Sequence, residues 1–350
     1  MGKSNNATVA GVDVGYGNVK CVIGCGDGAQ RDVVLPAGAA PAEQMPKLIN
    51  RQPDLKGGEL VLIPVEDGVV PWVGGVEQVV LQHSVRQTHA QYTSTKAYHA
   101  LYLAALAKMR AERIDLLVTG LPVSQYYDPR VGEPLRQGLQ KLMTGRHHIN
   151  DQVTVQVDRT LVIPQPTGTF MGVAAEPQHS YLVTDNSLTT LVVDAGFFSL
   201  DYVSLSGRSV RDQSSGSSQL ATSHILEKAA ERLSVSMDRF VDPDRLDAAF
   251  RGGAPMLRLG GEEVDYMTVL RAAAAEVASE VVGEIQRKMR GDKSSADVLI
   301  LAGGGAELYA PALAKVFPKA KLIRPADPVL SNARGYYTYG QLALGAARAA

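Results

Sequence analysis

Residues 12–20 read VDVGYGNVK, an apolar run that meets an aspartate, then two glycines, then a lysine beyond the turn. Asp13 sits where a strand should end. Gly15 and Gly17 let the backbone turn tightly with its N–H groups outward, an arrangement that suits phosphate oxygens. Tyr16 and Asn18 complete the loop, and Lys20 brings a positive charge to the same place. Apolar residues flank the turn at Thr8–Val14 and Val19–Ile23, so the segment reads as a β-hairpin. A glycine-rich hairpin carrying one aspartate is common and by itself names no ligand. The plan returns, however, at VVDAGFFSLD, residues 192–201, where Asp194 and Gly196 stand in the same relation to a second hairpin beginning at Thr190. Two such loops can hold a triphosphate from two sides. Their paired carboxylates, Asp13 and Asp194, suit a Mg2+ ion that keeps several of its waters.

The rest of the chain alternates strands and helices. From Arg31 to Val80 short apolar runs are broken by Pro and Gly, which predicts a small strand-rich insertion without a large core of its own. Thr95–Arg113 has helical spacing, Ile114–Gly120 reads as a buried strand and Pro134–Met143 as a helix. Val153–Val157 and Thr160–Ile163 read as strands that stop at Pro164-Gln165-Pro166, where the first domain is expected to close. In the second half, Gln219–Leu233 and the alanine-rich Thr268–Met289 read as helices. VLILAGGGAELY, residues 298–309, is a buried strand running into Gly303-Gly304-Gly305 and then a helix. That pattern suits close backbone approach to a base, a ribose or an α-phosphate. A helix Pro311–Phe317, a strand Lys321–Ile323 and a helix near Ala333–Arg348 follow. The alternation predicts a layered α/β architecture.

At 350 residues the chain exceeds what one hydrophobic core usually serves, so two domains sharing an interface are expected. A composition 45% hydrophobic and 20% charged predicts folding throughout. The net charge of -1 argues against a direct electrostatic grip on nucleic acid. Two cysteines, Cys21 and Cys25, lack the second ligand pair of a structural zinc and fit a reducing cytoplasm. The opening MGKSNNATVAGVDVG is too polar for a secretory signal, and no apolar run reaches the roughly 18 residues of a membrane helix. A cytoplasmic location without membrane contact is therefore expected. No GxxxxGK[ST] run occurs, which sets aside an ordinary P-loop. His147-His148 reads as loop surface, and Tyr336, Tyr337 and Tyr339 as packing at a domain junction.

The two hairpins and the glycine triplet, in this order and with a Pro-Gln-Pro junction between the hairpins, resemble the actin, Hsp70 and sugar-kinase superfamily. That resemblance implies an α/β, ribonuclease H-like fold with two similar domains flanking a nucleotide cleft. GVDVGYGNVK (11–20), LLVTGLPVSQYYD (116–128), KLMTGRHHI (141–149), IPQPTG (163–168) and PVLSNARGYYTYG (328–340) resemble the ParM/StbA-type plasmid-segregation actins. Among those the chain looks most similar to the protein D family of plasmid-borne PRTRC systems. The resemblance implies a domain of residues 1–165 plus 332–350, with a strand-rich subdomain over about 31–95, and a domain of residues 166–331, with a helical subdomain over about 226–294. It assigns the β- and γ-phosphates to Asp13, Gly15, Tyr16, Gly17, Asn18 and Lys20. The second phosphate loop falls to Asp194, Gly196 and Phe197, and adenosine to Gly303, Gly304 and Gly305.

In the same resemblance Gln165 orients the attacking water, and Asp13 and Asp194 serve catalysis and Mg2+, largely through water. A second crossover helix starts near Asn332, where Ala333 and Gly335 allow close packing. The expected cofactors are ATP and Mg2+. The expected partners are further copies of the chain in a filament and a DNA-binding adaptor. The chain departs from many relatives in carrying Phe197 and Phe198 after the second Asp-x-Gly, and from some in carrying Gln165 for a glutamate. Two other functions stay open: a small-molecule kinase, with Asp201 as a possible base, and an ATP-sensing scaffold with little hydrolysis.

Overall fold

The structure is a computed structural model that describes residues 7–25, 30–48, 53–81 and 91–349. The first six residues of the polar opening stretch, and residues 49–52 and 82–90 of the strand-rich insertion, lie outside the described residues. Chain contacts divide the molecule into two units, Met1–Glu176 with Leu330–Ala350, and Pro177–Val329.

In the first unit, β1 (Thr8–Val14) and β2 (Asn18–Cys25) form the first hairpin, in a register that sets Asp13 opposite Lys20. β3 (Arg31–Pro36) pairs with the outer edge of β2. The segment from Arg31 to Val80 therefore divides. Its first strand belongs to the main sheet, while β4 (Gly38–Pro41), β5 (Glu59–Val65) and β6 (Gly68–Val76) make a separate sheet in the order β4-β6-β5. β7 (Arg113–Ile114), β8 (Leu116–Leu121), β9 (Gly145–His148), β10 (Thr154–Val157) and β11 (Thr160–Pro164) complete the unit's strands. The main sheet runs β11-β8-β1-β2-β3, with β8 parallel to β1 and β11 parallel to β8.

Alternation along β1 explains how both sheet faces are covered. Ala10, Val12 and Val14 join the core built on the helix Lys96–Met109, whereas Val9 packs with Ala333 and Tyr337 of the helix Ser331–Ala349. The Lys96–Met109 helix is apolar nearly all round because it is covered twice, by the main sheet and by Val61, Ile63 and Trp72 of the β4-β6-β5 sheet. Thr95 caps its start, accepting from the Tyr98 N–H at 3.1 Å, and Arg110 ends it in a left-handed conformation.

The sequence places a domain boundary at Pro164-Gln165-Pro166, but a helix, Gln165–Ala174, begins there, and proline is tolerated in its first turn. That helix lies within the first unit because it crosses Ser331–Ala349 at close range. The buried side-chain oxygen of Asn332 accepts from the Thr169 hydroxyl at 2.8 Å and from its N–H at 3.3 Å.

The second unit repeats the plan. β12 (Thr189–Ala195) and β13 (Leu200–Ser206) form an antiparallel hairpin, and β14 (Ser209–Val210) and β15 (Gly216–Ser218) both pair with β13. β16 (Leu257–Leu259) and β17 (Glu262–Val264) pair with each other. β18 (Val298–Ala302) and β19 (Lys321–Ile323) are parallel strands beside β12, giving the order β14-β13-β12-β18-β19. Each main sheet is thus a hairpin whose first strand is flanked by parallel strands. The helices Thr222–Met237, Pro243–Arg251 and Tyr266–Gly291 cover the second sheet's core. Asp265 caps the longest, accepting from the Thr268 N–H at 3.2 Å, and Lys288 and Arg290 lie in its last turn.

His147 and His148 correct the loop-surface reading, because both lie on β9 and alternate faces. His147 turns inward, its ring edge-on to Tyr102 and its Nε2 3.1 Å from the Met143 carbonyl oxygen, while His148 faces outward beside Thr154. Burial lowers the pKa of His147, and burial followed by the nearby His147 lowers that of His99 from 6.5 to about 4. The unfolded chain therefore takes up protons at these sites before the folded chain does. Their contribution to stability is complete above about pH 6.5 and is lost as pH falls toward 4. The thermal midpoint should accordingly fall between pH 7 and pH 5, and His99→Gln should flatten that fall. Circular dichroism melts of both proteins at the two pH values test this, and identical pH slopes would contradict it.

Candidate functional site

The first loop is built from the hairpin register. Asp13 is buried and its carboxylate lies 3.0 Å from the Lys20 ammonium across the strand pair. Its other oxygen accepts from Gln165 Nε2 at 3.4 Å. The Gln165 side chain thus reaches the hairpin because β11 lies in the same sheet and delivers the helix start at its end. Below the hairpin, Cys21 is fully buried, and its thiol is pushed well above its ordinary range by burial first and by the charge of Asp13 second. It stays protonated and is no nucleophile.

Between Asp13 and Lys20 the carbonyls of Gly15, Gly17 and Asn18 are occupied. The Gly15 N–H donates to the Asn18 carbonyl oxygen at 3.1 Å, and the Ala37 N–H donates to that of Gly17 at 3.1 Å. The Gly15 carbonyl oxygen accepts from the Tyr92 hydroxyl at 3.4 Å. Among the described residues no hydrogen bond is found from the Gly17 N–H. Asp13, Gly15, Tyr16, Gly17, Asn18, Lys20 and Gln165 therefore meet in one place in the first unit. The loop offers a backbone donor and an ammonium to an anion.

In the second unit the corresponding register sets Asp194 opposite Asp201. Asp201 is fully buried and accepts from the Ser199 hydroxyl at 2.6 Å and from the Ser217 hydroxyl, which gives it the satisfied role of a structural carboxylate. Asp194 is half-buried and borders the glycine triplet. A Cβ on Gly303 would fall 2.4 Å from the Asp194 Oδ1 and 2.4 Å from the Ala195 carbonyl oxygen, and Gly303 has φ +91°, so only glycine fits. The Gly305 N–H donates to the Ala195 carbonyl oxygen at 2.9 Å, tying the triplet to the second loop. Gly304 is exposed, faces open space, and its N–H makes no hydrogen bond among the described residues. The Phe197 side chain packs against the unit's core. Asp194, Gly196, Phe197 and Gly303–Gly305 therefore cluster at one end of the second sheet.

Sequence reasoning passed over two residues. Tyr92 stacks on Tyr16 with ring centroids 4.2 Å apart. Thr222 is buried beside Gly305, and its hydroxyl has no hydrogen-bond partner among the described residues. The second lies inside the helix read at Gln219–Leu233, and nothing local hinted at a role for either. Among the described residues no cluster of three or more His, Cys, Asp or Glu is placed to hold a metal ion, and no helix is long and apolar enough to cross a membrane.

Residues 11–168 match the family model of the actin-like protein N-terminal domain, and residues 192–315 match that of the archaeal actin homologue MreB-like C-terminal domain. No curated protein matches the chain by sequence. Solved structures do match along nearly the whole length. The archaeal actin homologue Ta0583 in complex with ADP is 18% identical at a TM-score of 0.71, over 96% of this chain and 99% of that one. The ParM of a 15-stranded filament from Clostridium botulinum is 16% identical at 0.73, over 96% and 99%. A non-polymerisable quadruple mutant of pCBH ParM is 16% identical at 0.74, over 96% and 100%.

Proposed function

From the actin-like fold that this chain has, we propose that it is a Mg-ATP-dependent ATPase that assembles with further copies of itself into filaments and, through a DNA-binding adaptor, segregates plasmid or mobile-element DNA. The finer kinship, to the protein D family of PRTRC systems, rests on the sequence motifs. One observation carries the nucleotide reading above all. Asp13, Lys20 and Gln165 converge on a glycine loop whose Gly17 N–H makes no hydrogen bond among the described residues. The two similar hairpins, the open Gly304 and the ADP held by the archaeal homologue support the same ligand.

Mg2+ would neutralise charge on the phosphates, and Asp13 and Asp194, each the carboxylate of its own unit's hairpin, are the residues proposed to serve it through bound water. Asp13 is already engaged by Lys20 and Gln165, and magnesium keeps several waters. Lys20 and the Gly17 N–H bind the anionic oxygens. Gln165 is neutral and cannot remove a proton, so its part is to orient the attacking water beside Asp13. Phosphoryl transfer depends chiefly on such positioning and on charge stabilisation. Gln165→Ala should therefore lower phosphate release on the order of 10²-fold while leaving Mg-ATP affinity within a few-fold. Single-turnover phosphate release alongside a binding titration separates the two. Equal losses in both would place Gln165 in binding instead.

For the kinase alternative, Asp201 accepts from two serine hydroxyls, which favours a structural role for it over that of a base. The self-association proposed is head-to-tail, because a heterologous contact that does not close makes an open polymer. The filament and the polymerisation-deficient mutant among the ParM neighbours support this step.

A further inference from the structure

We propose that Tyr92 is a positioning residue that latches the first phosphate loop, through a ring stack on Tyr16 and a hydroxyl bond to the Gly15 carbonyl oxygen. The proposal rests on the nucleotide reading of that loop and names the group that holds it ready. Tyr16 and Tyr92 stack at 4.2 Å with planes 23° apart, and Tyr92 in turn meets Tyr98 edge-on at 5.3 Å. Tyr92 and Tyr98 are both buried, whereas Tyr16 is half-buried on the loop itself. The stack therefore anchors a loop residue to a fixed core.

The anchor has a mechanical basis. Tyr98 lies in the first turn of the Lys96–Met109 helix, the helix clamped between the main sheet and the β4-β6-β5 sheet. Burial raises the Tyr98 phenol far above its ordinary value, so this base stays neutral. Tyr92 sits on a short turn, Tyr92–Ser94, directly before that helix, and Thr95 joins the two by donating its hydroxyl to the Tyr92 carbonyl oxygen at 2.8 Å. The bonds from Tyr92 to the Gly15 carbonyl and from Ala37 to the Gly17 carbonyl give both oxygens a donor within the protein. An acceptor left facing the phosphate would repel it. The two-part latch thus fixes the polarity of the loop before any anion arrives. It also ties the loop to the helix on which the β4-β6-β5 sheet packs.

The test compares Tyr92→Leu, Tyr16→Leu and the double variant with wild type, and uses Tyr92→Phe to separate ring from hydroxyl. Mg-ATP affinity is measured by competition with a fluorescent ATP analogue. Deuterium exchange of the peptide spanning Val14–Val19 is measured in the nucleotide-free protein. Each leucine variant should weaken Mg-ATP about three- to tenfold and speed loop exchange, and the double variant should be no worse than the poorer single, as for one coupled pair. Tyr92→Phe should keep most of the affinity. The latch is overturned if Tyr92→Leu lowers the melting midpoint but leaves loop exchange and affinity at wild-type values, or if the two single effects add. Wild type that binds no nucleotide would sink the functional reading alone. The exchange comparison would still decide whether Tyr92 holds the loop.

Discussion

Gly335→Ala is expected to cost about 3 kcal/mol or more and to lower the thermal midpoint by roughly 4 °C or more. Gly335 sits where the helix Ser331–Ala349 crosses Gln165–Ala174, and a Cβ there would lie 1.6 Å from the Gly168 carbonyl oxygen and 2.2 Å from its carbon. In an open helix the same change would help by about 1 kcal/mol, since alanine outranks glycine. The clash wins because the obstructing atoms are backbone, held by the buried Thr169–Asn332 hydrogen bonds, and cannot rotate away. Gly138 provides the control. It is exposed in the helix Gly132–Met143 with nothing near its would-be Cβ, so Gly138→Ala should raise the midpoint slightly. Because Gln165 opens the helix that carries Gly168, the Gly335→Ala protein should also hydrolyse ATP more slowly while still folded. Equal melting of Gly335→Ala and wild type would mean that the two helices are not packed this closely.

Asp13→Asn should reduce phosphate release on the order of 10²- to 10³-fold, a loss comparable to removing one preorganised electrostatic group from an active site. Asparagine preserves the volume, so the hairpin should stay formed. What disappears is the negative charge that faces Lys20 at 3.0 Å and orders the Gln165 amide at 3.4 Å. Losing a charge-assisted hydrogen bond should cost about 1.5–3 kcal/mol of stability. The Lys20 side chain is only 17% exposed, so water compensates little. The decisive contrast is with Asp201→Asn. That carboxylate is held by Ser199 and Ser217, and its loss should disturb folding more than hydrolysis. If Asp13→Asn hydrolysed ATP at the wild-type rate, the first hairpin would not be the phosphate loop.

Much of this was legible because strands carry their register in a period of two. The distance from Asp13 through Gly15 to Lys20 suffices to place acid and base on one face of a hairpin, and the second hairpin follows the same spacing with Asp201 in the lysine's position. Asp201 shows what spacing cannot convey. Its partners Ser199 and Ser217 decide that it is structural, and Ser217 arrives on another strand. The helix at Gln165 was hidden by the prolines on either side, which mark a helix start as readily as a break. β3 looked like part of the insertion because nothing local distinguishes a strand that extends the main sheet from one that leaves it. Tyr92 was invisible for a stronger reason. It lies far along the chain from Tyr16, and a stack between two aromatic residues leaves no trace in either one's neighbours. Gln165 was reached through resemblance, and its place beside Asp13 came only with the sheet order β11-β8-β1.

The central claim, an ATPase that polymerises on its nucleotide, is tested most directly by right-angle light scattering with parallel phosphate release on adding Mg-ATP to the purified protein, comparing wild type with Asp194→Ala. The account predicts scattering that rises with ATP and decays as phosphate appears, and a variant that releases almost none. Scattering that stays flat at tens of micromolar protein, whether or not phosphate appears, would contradict a self-assembling filament and favour an ATP-sensing scaffold.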